Sequence, residues 1–311
     1  MAFRSGFVCI LGRPNAGKST LLNALVGEKV SIVTHKPQTT RNRILGMVNV
    51  AARKGRPAGQ IVFVDTPGIH KPDSSLNRKM MQEIRTALEG CDLLLLLVDA
   101  TQKFGAGDQF ALNMVQQTGL STFLVLNKID QVEKSKLLPI IASYSGLHKF
   151  AEVIPISALK KEGLDLLVEK VIRTLPEGPR YFPQDQLTDQ PERFLVAELV
   201  REKILQLTGE EVPYACTVVV EQFEEKSNVT RIAATIFCER EGQKGIVIGK
   251  GGQMLKKIGS AARFEIEKRL GTKVFLELFV KVRPGWRDSR EFVEGLDWRR
   301  QLEDLTSKER E

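Results

Sequence analysis

Gly12-Arg13-Pro14-Asn15-Ala16-Gly17-Lys18-Ser19 sets two glycines, a lysine and a serine at the spacing G-x-x-x-x-G-K-S, that of a loop built to cradle phosphate. Gly12 and Gly17 permit a tight turn that brings backbone N–H groups to phosphate oxygens. Lys18 can place an ammonium between β- and γ-phosphates, and the Ser19 hydroxyl can ligate Mg²⁺. Thr20 continues into a helix whose N-terminus adds partial positive charge.

Four further stretches extend this chemistry. In Asp65-Thr66-Pro67-Gly68 a carboxylate at a strand end can hold the Mg²⁺ hydration shell, and the Gly68 N–H can reach a γ-phosphate. In Asn127-Lys128-Ile129-Asp130 the Asp130 carboxylate can accept from the guanine N1–H and exocyclic amine. Adenine offers neither donor and is rejected because the charge stays unpaired. Asn127 can bond the base edge and tie this loop to the phosphate loop, while the Lys128 stem covers the base. Ser157 and Ala158 end the last strand of this half, and the Ala158 N–H can donate to guanine O6. In Gln38-Thr39-Thr40-Arg41 a threonine hydroxyl, Thr40 in preference to Thr39, can complete the Mg²⁺ shell, making the loop an order–disorder switch. The metal ligands are thus expected to be Ser19, Thr40 and Asp65. The groups expected at the reacting phosphate are Lys18, Thr40, Gly68 and Asn15. Ile69 stands directly after Gly68, where a glutamine would position water, so unassisted hydrolysis is expected to be slow. Asn15 is a candidate for ordering a monovalent cation, K⁺, beside Lys18.

These loops need a scaffold. Apolar runs at 7–11, 44–50, 61–64, 93–98, 122–126 and 153–156 alternate with helical periodicity at 20–26, 74–88, 108–117, 134–144 and 164–174. The pattern predicts a mostly parallel six-stranded sheet wrapped by helices. Residues 51–59 leave no room for a crossover helix, so the second and third strands form an antiparallel hairpin. The GTPase-like domain is placed at 1–176.

Bulk properties agree. The chain has 311 residues, a net charge of +8 and four cysteines without short-spacing motifs, which are read as buried reduced thiols. The most apolar stretch, 93–98, is too short to span a bilayer, and no signal peptide precedes the first strand, so a cytoplasmic location is expected.

Residues 177–191, rich in proline and glycine, read as a linker. A second domain at 192–283 follows: a helix at 192–207, strands at 214–224 and 229–238, a short helix, the loop Gly249-Lys250-Gly251-Gly252, a helix to Leu270 and a strand at 274–282. A G-x-x-G loop between two helices is the backbone clamp of KH domains, which bind single-stranded nucleic acid. From Arg240 to Lys273 there are nine basic and three acidic residues, against five and nine from Pro191 to Glu239. The expected RNA contacts are Lys244, Ile248, Gly249, Lys250, Gly251, Gly252, Lys256, Lys257 and Arg263, whereas Lys268 and Arg269 read as a solvated helix face. In the tail, 284–311, Trp286 and Trp298 are expected to pack on the domain, with stacking on a base as the alternative.

Together GRPNAGKS, QTTR, DTPG, NKID, the stretch DQLTDQPERFLVAELVREKIL and VIGKGGQMLKKIG, in that order, resemble the Era family of bacterial GTPases across nearly the whole chain. The resemblance implies a Ras-like α/β P-loop GTPase domain followed by an α+β type II KH domain. It implies GTP and GDP as ligands, binding near the 3′ end of small-subunit ribosomal RNA and a role in maturing the small ribosomal subunit. It also implies peripheral contact with the inner membrane, although no lipid anchor or strongly amphipathic insertion helix is visible. A monomer is expected. Two other readings stay open: a GTPase acting on transfer RNA, and an RNA-binding module whose nucleotide domain is inactive.

Overall fold

The computed structural model describes residues 2–68, 73–226 and 228–300. It divides into two units, residues 2–68 with 80–189 and residues 73–79 with 190–300.

The first unit holds strands β1 (Arg4–Leu11), β2 (Ile44–Val50), β3 (Gly59–Asp65), β4 (Leu93–Asp99), β5 (Thr122–Asn127) and β6 (Glu152–Pro155), in the spatial order β2-β3-β1-β4-β5-β6. Among these strands of the described residues only β2 and β3 pair antiparallel, from Ile44 opposite Asp65 to Val50 opposite Gly59. Helices α1 (Lys18–Val26), α2 (Ser75–Glu89, of which the residues from Met80 on belong to this unit), α3 (Ala106–Thr118), α4 (Lys134–Ser145) and α5 (Leu164–Thr174) complete the α/β pattern. Because successive strand residues point to opposite faces, β1 feeds two cores. Val8 and Ile10 join Leu21, Phe63 and Leu167 on one side, and Cys9 and Leu11 join Ile84, Leu94 and Leu112 on the other. Every residue of β4 is buried, as a strand covered on both faces must be. β1 starts at Arg4 rather than Phe7, because Arg4 and Ser5 find ladder partners in Gly59 and Gln60. Backbone pairing, not hydropathy, sets that end.

Residues 177–189, within the 177–191 stretch expected as a linker, lie along this unit. The Leu187 carbonyl accepts from the Met47 N–H (2.9 Å), which covers part of the edge strand β2. Gln60 is fully buried, and its amide oxygen accepts from the Tyr181 and Phe182 N–H groups (both 2.9 Å). Its Nε2 donates to the Phe182 carbonyl, also at 2.9 Å. A buried amide needs such partners, and this segment supplies them.

The second unit runs α6 (Glu192–Leu207), α7 (Val212–Ala215), β7 (Thr217–Glu225), β8 (Val229–Cys238), α8 (Glu241–Ile248), a 3₁₀ turn (Lys250–Gly252), α9 (Gln253–Leu270), β9 (Lys273–Val282) and α10 (Arg290–Gly295). Its sheet is β7-β8-β9, with β8 antiparallel to β7 and parallel to β9. Tyr214, expected in the first strand, belongs to α7, which Pro213 helps to start. Trp286 is fully buried and donates its indole N–H to the Ala215 carbonyl (2.8 Å), and Trp298 is nearly buried, so neither ring is open to a base. The tail through residue 300 is therefore part of this unit's packing, and residues 301–311 lie outside the described residues. All four cysteines are buried thiols outside any disulfide.

Candidate functional site

The phosphate-type loop leaves β1 at Leu11 and enters α1 at Lys18. Gly17 caps α1 in the left-handed region (φ 99°) without any side-chain cap, so the first N–H groups of the helix stay available. Ala16 is buried beneath the loop, and the exposed Asn15 has φ 63°. The Asn15 amide donates to the His35 carbonyl at 2.8 Å. Lys18 is 6% exposed, and its ammonium donates to the carbonyls of Gly12 and Arg13, both at 3.0 Å. Arg13 points elsewhere, pairing with Asp108 at 2.8 Å.

Beside Lys18, oxygen ligands converge. The Ser19 hydroxyl donates to Asp65 Oδ2 (2.6 Å) and lies 2.8 Å from the Thr40 hydroxyl. Asp65 is fully buried, and its Oδ1 has no hydrogen-bond partner among the described residues. Burial pushes the Asp65 carboxyl above its ordinary value, against the pull of Lys18 and the hydroxyls of Ser19, Ser31 and Thr40. Burial likewise lowers the Lys18 ammonium, against the Asp65 charge. Both groups would gain from a ligand that brings a dication and phosphate together. A hard oxygen set with one orphaned carboxylate oxygen fits Mg²⁺. Thr39 does not reach this set. Its hydroxyl lies 2.6 Å from that of Thr34 and donates to the Lys36 carbonyl (2.7 Å). A cavity of about 50 Å³ is lined by Pro14, Asn15, Gly17, Lys18, Ser19, Thr20, Gly68 and residues 32–34 and 36–40. Thr66 points away from it, donating to the Ile10 carbonyl (2.8 Å), and Pro67 is buried. Ile69 lies outside the described residues.

The other end of the loop meets the β5 terminus. Asn127 donates to the Ala16 carbonyl (2.8 Å) and accepts from the Ala158 N–H (3.0 Å). One buried amide therefore joins the phosphate-type loop to the 157–158 turn. The Ala158 N–H, expected to face guanine O6, is directed to Asn127, because a buried amide oxygen needs a donor. Ser157 is buried, and its hydroxyl accepts from the Lys160 N–H (3.1 Å). Lys128 has φ 66°, and its ammonium bonds Asp99 (2.5 Å) across the strand ends. That leaves Asp130 exposed in the 3₁₀ turn Ile129–Gln131, open to a base edge.

In the second unit the glycine loop follows Ile248 and opens α9. Gly249, Gly251 and Gly252 all have positive φ (73°, 59° and 78°). An open groove of about 370 Å³ runs between α9 and β9, lined by Gly252, Leu255, Lys256, Gly259, Ser260, Arg263, Leu276 and Leu278. Lys256 and Arg263 thus share one face of α9, and the exposed Lys250 stands at the loop. Lys257 is exposed but does not line the groove, and Lys244 lies 3.7 Å from Glu241. Arg269 forms a two-pronged pair with Glu192 (2.8 and 2.9 Å).

The family model described as a 50S ribosome-binding GTPase matches residues 7–128, and the KH domain model matches residues 211–287. The Era GTPase of Geobacter metallireducens is 53% identical over 298 residues, covering 95% of this chain and 98% of that protein. That of Syntrophus aciditrophicus is 52% identical over 286 residues, covering 91% of this chain and 92% of its own length. The chain belongs to the Era GTPase family. A solved Aquifex aeolicus Era, a tyrosine-to-alanine variant bound to GDP·AlF4⁻, has a TM-score of 0.89 at 42% identity, covering 94% of this chain and 98% of that one. An Era in complex with MgGDPNP and nucleotides 1506–1542 of 16S ribosomal RNA matches at the same TM-score, identity and coverage.

Several side chains of this Era-family site carry no strong sequence signal. Ser31 reaches Asp65 Oδ2 at 3.2 Å from a stretch without periodicity. Asp99 and Asp108 hold Lys128 and Arg13 from strand and helix ends. Leu276 and Leu278 were available to sequence reasoning, since β9 alternates and one of its faces must meet α9.

Proposed function

We propose that this Era-family GTPase hydrolyses GTP as a switch, binds the 3′ end of small-subunit ribosomal RNA through its KH groove and assists maturation of the small ribosomal subunit. The observation that carries the nucleotide half is the meeting of Ser19, Thr40 and the half-satisfied Asp65 beside buried Lys18. Ser19, Thr40 and Asp65 would hold Mg²⁺, which when bound neutralises phosphate charge and fixes its orientation. Lys18 and the open N–H groups of α1 supply the protein's own positive field at the phosphates. Asp130 reads guanine. Asn127 shapes the base pocket from behind, through Ala16 and Ala158. Asn15, joined to His35, is the proposed contact for K⁺. The RNA half is supported by the basic groove at Lys256 and Arg263 and by the complex with a 16S fragment formed by an Era 42% identical to this chain.

The switch links these halves: a γ-phosphate orders Thr39–Arg41 and the segment after Gly68, and the glycine loop then grips RNA more tightly. The test is the affinity of the full chain for a single-stranded RNA of 16S 3′-end sequence, with a non-hydrolysable GTP analogue and with GDP. Tighter binding with the analogue supports the switch, and equal affinities remove it. Phosphate release in KCl against NaCl tests the cation assignment, with equal rates ending it. Cytoplasmic location, a monomeric state and peripheral contact with the inner membrane belong to the same reading, and cell fractionation with size-exclusion chromatography checks them. Among the described residues no helix is long and apolar enough to cross a membrane.

A further inference from the structure

The cysteines fall into two thiol pairs, one in each unit. Cys9 and Cys91 are neighbours in the first, where the Cys91 thiol donates to the Ala87 carbonyl (2.8 Å), and in the second the sulfurs of Cys216 and Cys238 lie 3.5 Å apart. The second pair has a geometry the first lacks. The antiparallel register sets Thr217 opposite Phe237, so the next rung brings Cys216 opposite Cys238. Directly opposed residues have Cα atoms roughly 4.5–5.5 Å apart, inside the roughly 4.4–6.8 Å window of a disulfide. The two sulfurs already face each other and need to close only to about 2.05 Å. Cys9 sits on β1 and Cys91 precedes β4, in a parallel register that pairs Cys9 with Leu94 instead.

We propose that Cys216 and Cys238 are the site of a reversible intrachain disulfide formed by hydrogen peroxide. The Cys238 thiolate attacks a peroxide oxygen and the O–O bond breaks. The departing hydroxide takes a proton to become water, leaving a sulfenic acid. The Cys216 sulfur then attacks the Cys238 sulfur and the S–O bond breaks. Hydroxide leaves, takes the Cys216 proton and forms a second water. Two thiols are oxidised and one peroxide is reduced.

The surroundings favour this order. The hydrogen bond from Cys216 lowers the Cys238 thiol first, burial opposes it, Lys244 lowers it further and Glu241 opposes. Cys9 is held the other way: the neighbouring Cys91 thiol, burial and the nearby Asp65 charge raise it, against the pull of Lys18. Both Cys216 and Cys238 are fully buried, so reaction is gated by opening of this strand end. The bond would lie at the root of α8, the helix that leads to Gly249, because Glu239 and Arg240 follow Cys238 directly and donate their N–H groups to Gln243 (both 3.0 Å).

The experiment exposes the reduced full chain to hydrogen peroxide, unfolds it in excess alkylating agent and reads intact mass and peptide maps. The expected result is a species lighter by about 2 Da before alkylation, the mass of the two hydrogens lost. It should keep alkylation at Cys9 and Cys91, carry a linked Cys216–Cys238 peptide and revert with dithiothreitol. C216S and C238S should each abolish the linked peptide. Should either variant fail to fold, the map of the unaltered chain decides alone. Full alkylation at all four sites, a Cys9–Cys91 link forming as fast, or sulfinic acid at Cys238 with Cys216 still free would each overturn the assignment.

Discussion

Two glycine loops in this chain solve the same local problem in opposite ways. Each delivers a helix whose first residue is capped by a left-handed glycine without a side-chain cap: Gly17 at α1 and Gly252 at α9. The first loop is held from every side. A Cβ on Gly12 would run into the Leu97 carbonyl oxygen, and one on Gly17 into the Asn127 amide. The second is held at one point. A Cβ on Gly249 would lie 2.7 Å from the Met254 Cβ and 2.9 Å from its nitrogen, but Gly251 and Gly252 face open space within 4 Å. A small, highly charged ligand is best met by fixed dipoles in a closed, low-dielectric site. A polymer read along its backbone needs access and spread-out charge. The clamped loop suits the first ligand and the open loop the second.

The largest effect should come from breaking the clamped loop. Gly12→Ala sets a methyl against the β4 backbone, which cannot recede without parting β1 from β4. It should destabilise the first unit by about 3 kcal/mol, as overpacking against backbone does, and abolish GTP binding. Urea denaturation and filter binding check both. Asp130→Asn comes next. Asp130 is exposed, so the fold should hold, but GTP should lose affinity by a factor on the order of 10⁴ while xanthosine triphosphate gains. Competition titration with the two nucleotides measures this, and unchanged selectivity would refute the reading of Asp130.

These contrasts also mark what the sequence reveals. The strand–loop–helix of Gly12–Ser19, the antiparallel β2–β3 pair and the glycine loop ahead of α9 are all legible, because spacing and hydrophobic period constrain the backbone directly. Where a polar side chain ends up is not. Nothing local says that Gln60 will bond residues 181 and 182, or that Asn127 will take the Ala158 N–H, because both follow from the demand that buried amides be satisfied by whatever the fold brings near. The tail shows the same limit in part: the packing of Trp286 on the domain is expected, but nothing local says that the Ala215 carbonyl will take its indole N–H. Lys257 and Lys256 are neighbours in sequence, yet only Lys256 lines the groove, since adjacent helix residues point about 100° apart.

The open loop should yield more gently. Gly251→Asp meets no atom within 4 Å and asks a residue tolerant of left-handed backbone to adopt φ 59°, at a cost of about 1 kcal/mol. The carboxylate would repel phosphate, and RNA affinity should fall by about tenfold while GTP turnover without RNA stays the same. If RNA binding survives, the loop does not touch the RNA backbone, and the comparison of the two loops loses its second half.

The finest test divides the lysines of α9. Lys256→Ala and Arg263→Ala each remove one positive charge from the groove, whereas Lys257→Ala removes one from outside it. If phosphates follow the groove, each of the first two should lower affinity a few-fold and reduce the slope of log affinity against log salt by about 1. Lys257→Ala should leave that slope almost unchanged, since a charge exposed beyond the groove acts only through screened distance. Fluorescence anisotropy over a salt series separates the cases. Equal slopes for all three variants would mean that RNA senses the helix as a diffuse cation rather than lying between α9 and β9, and the open loop would then be a steering surface instead of a clamp.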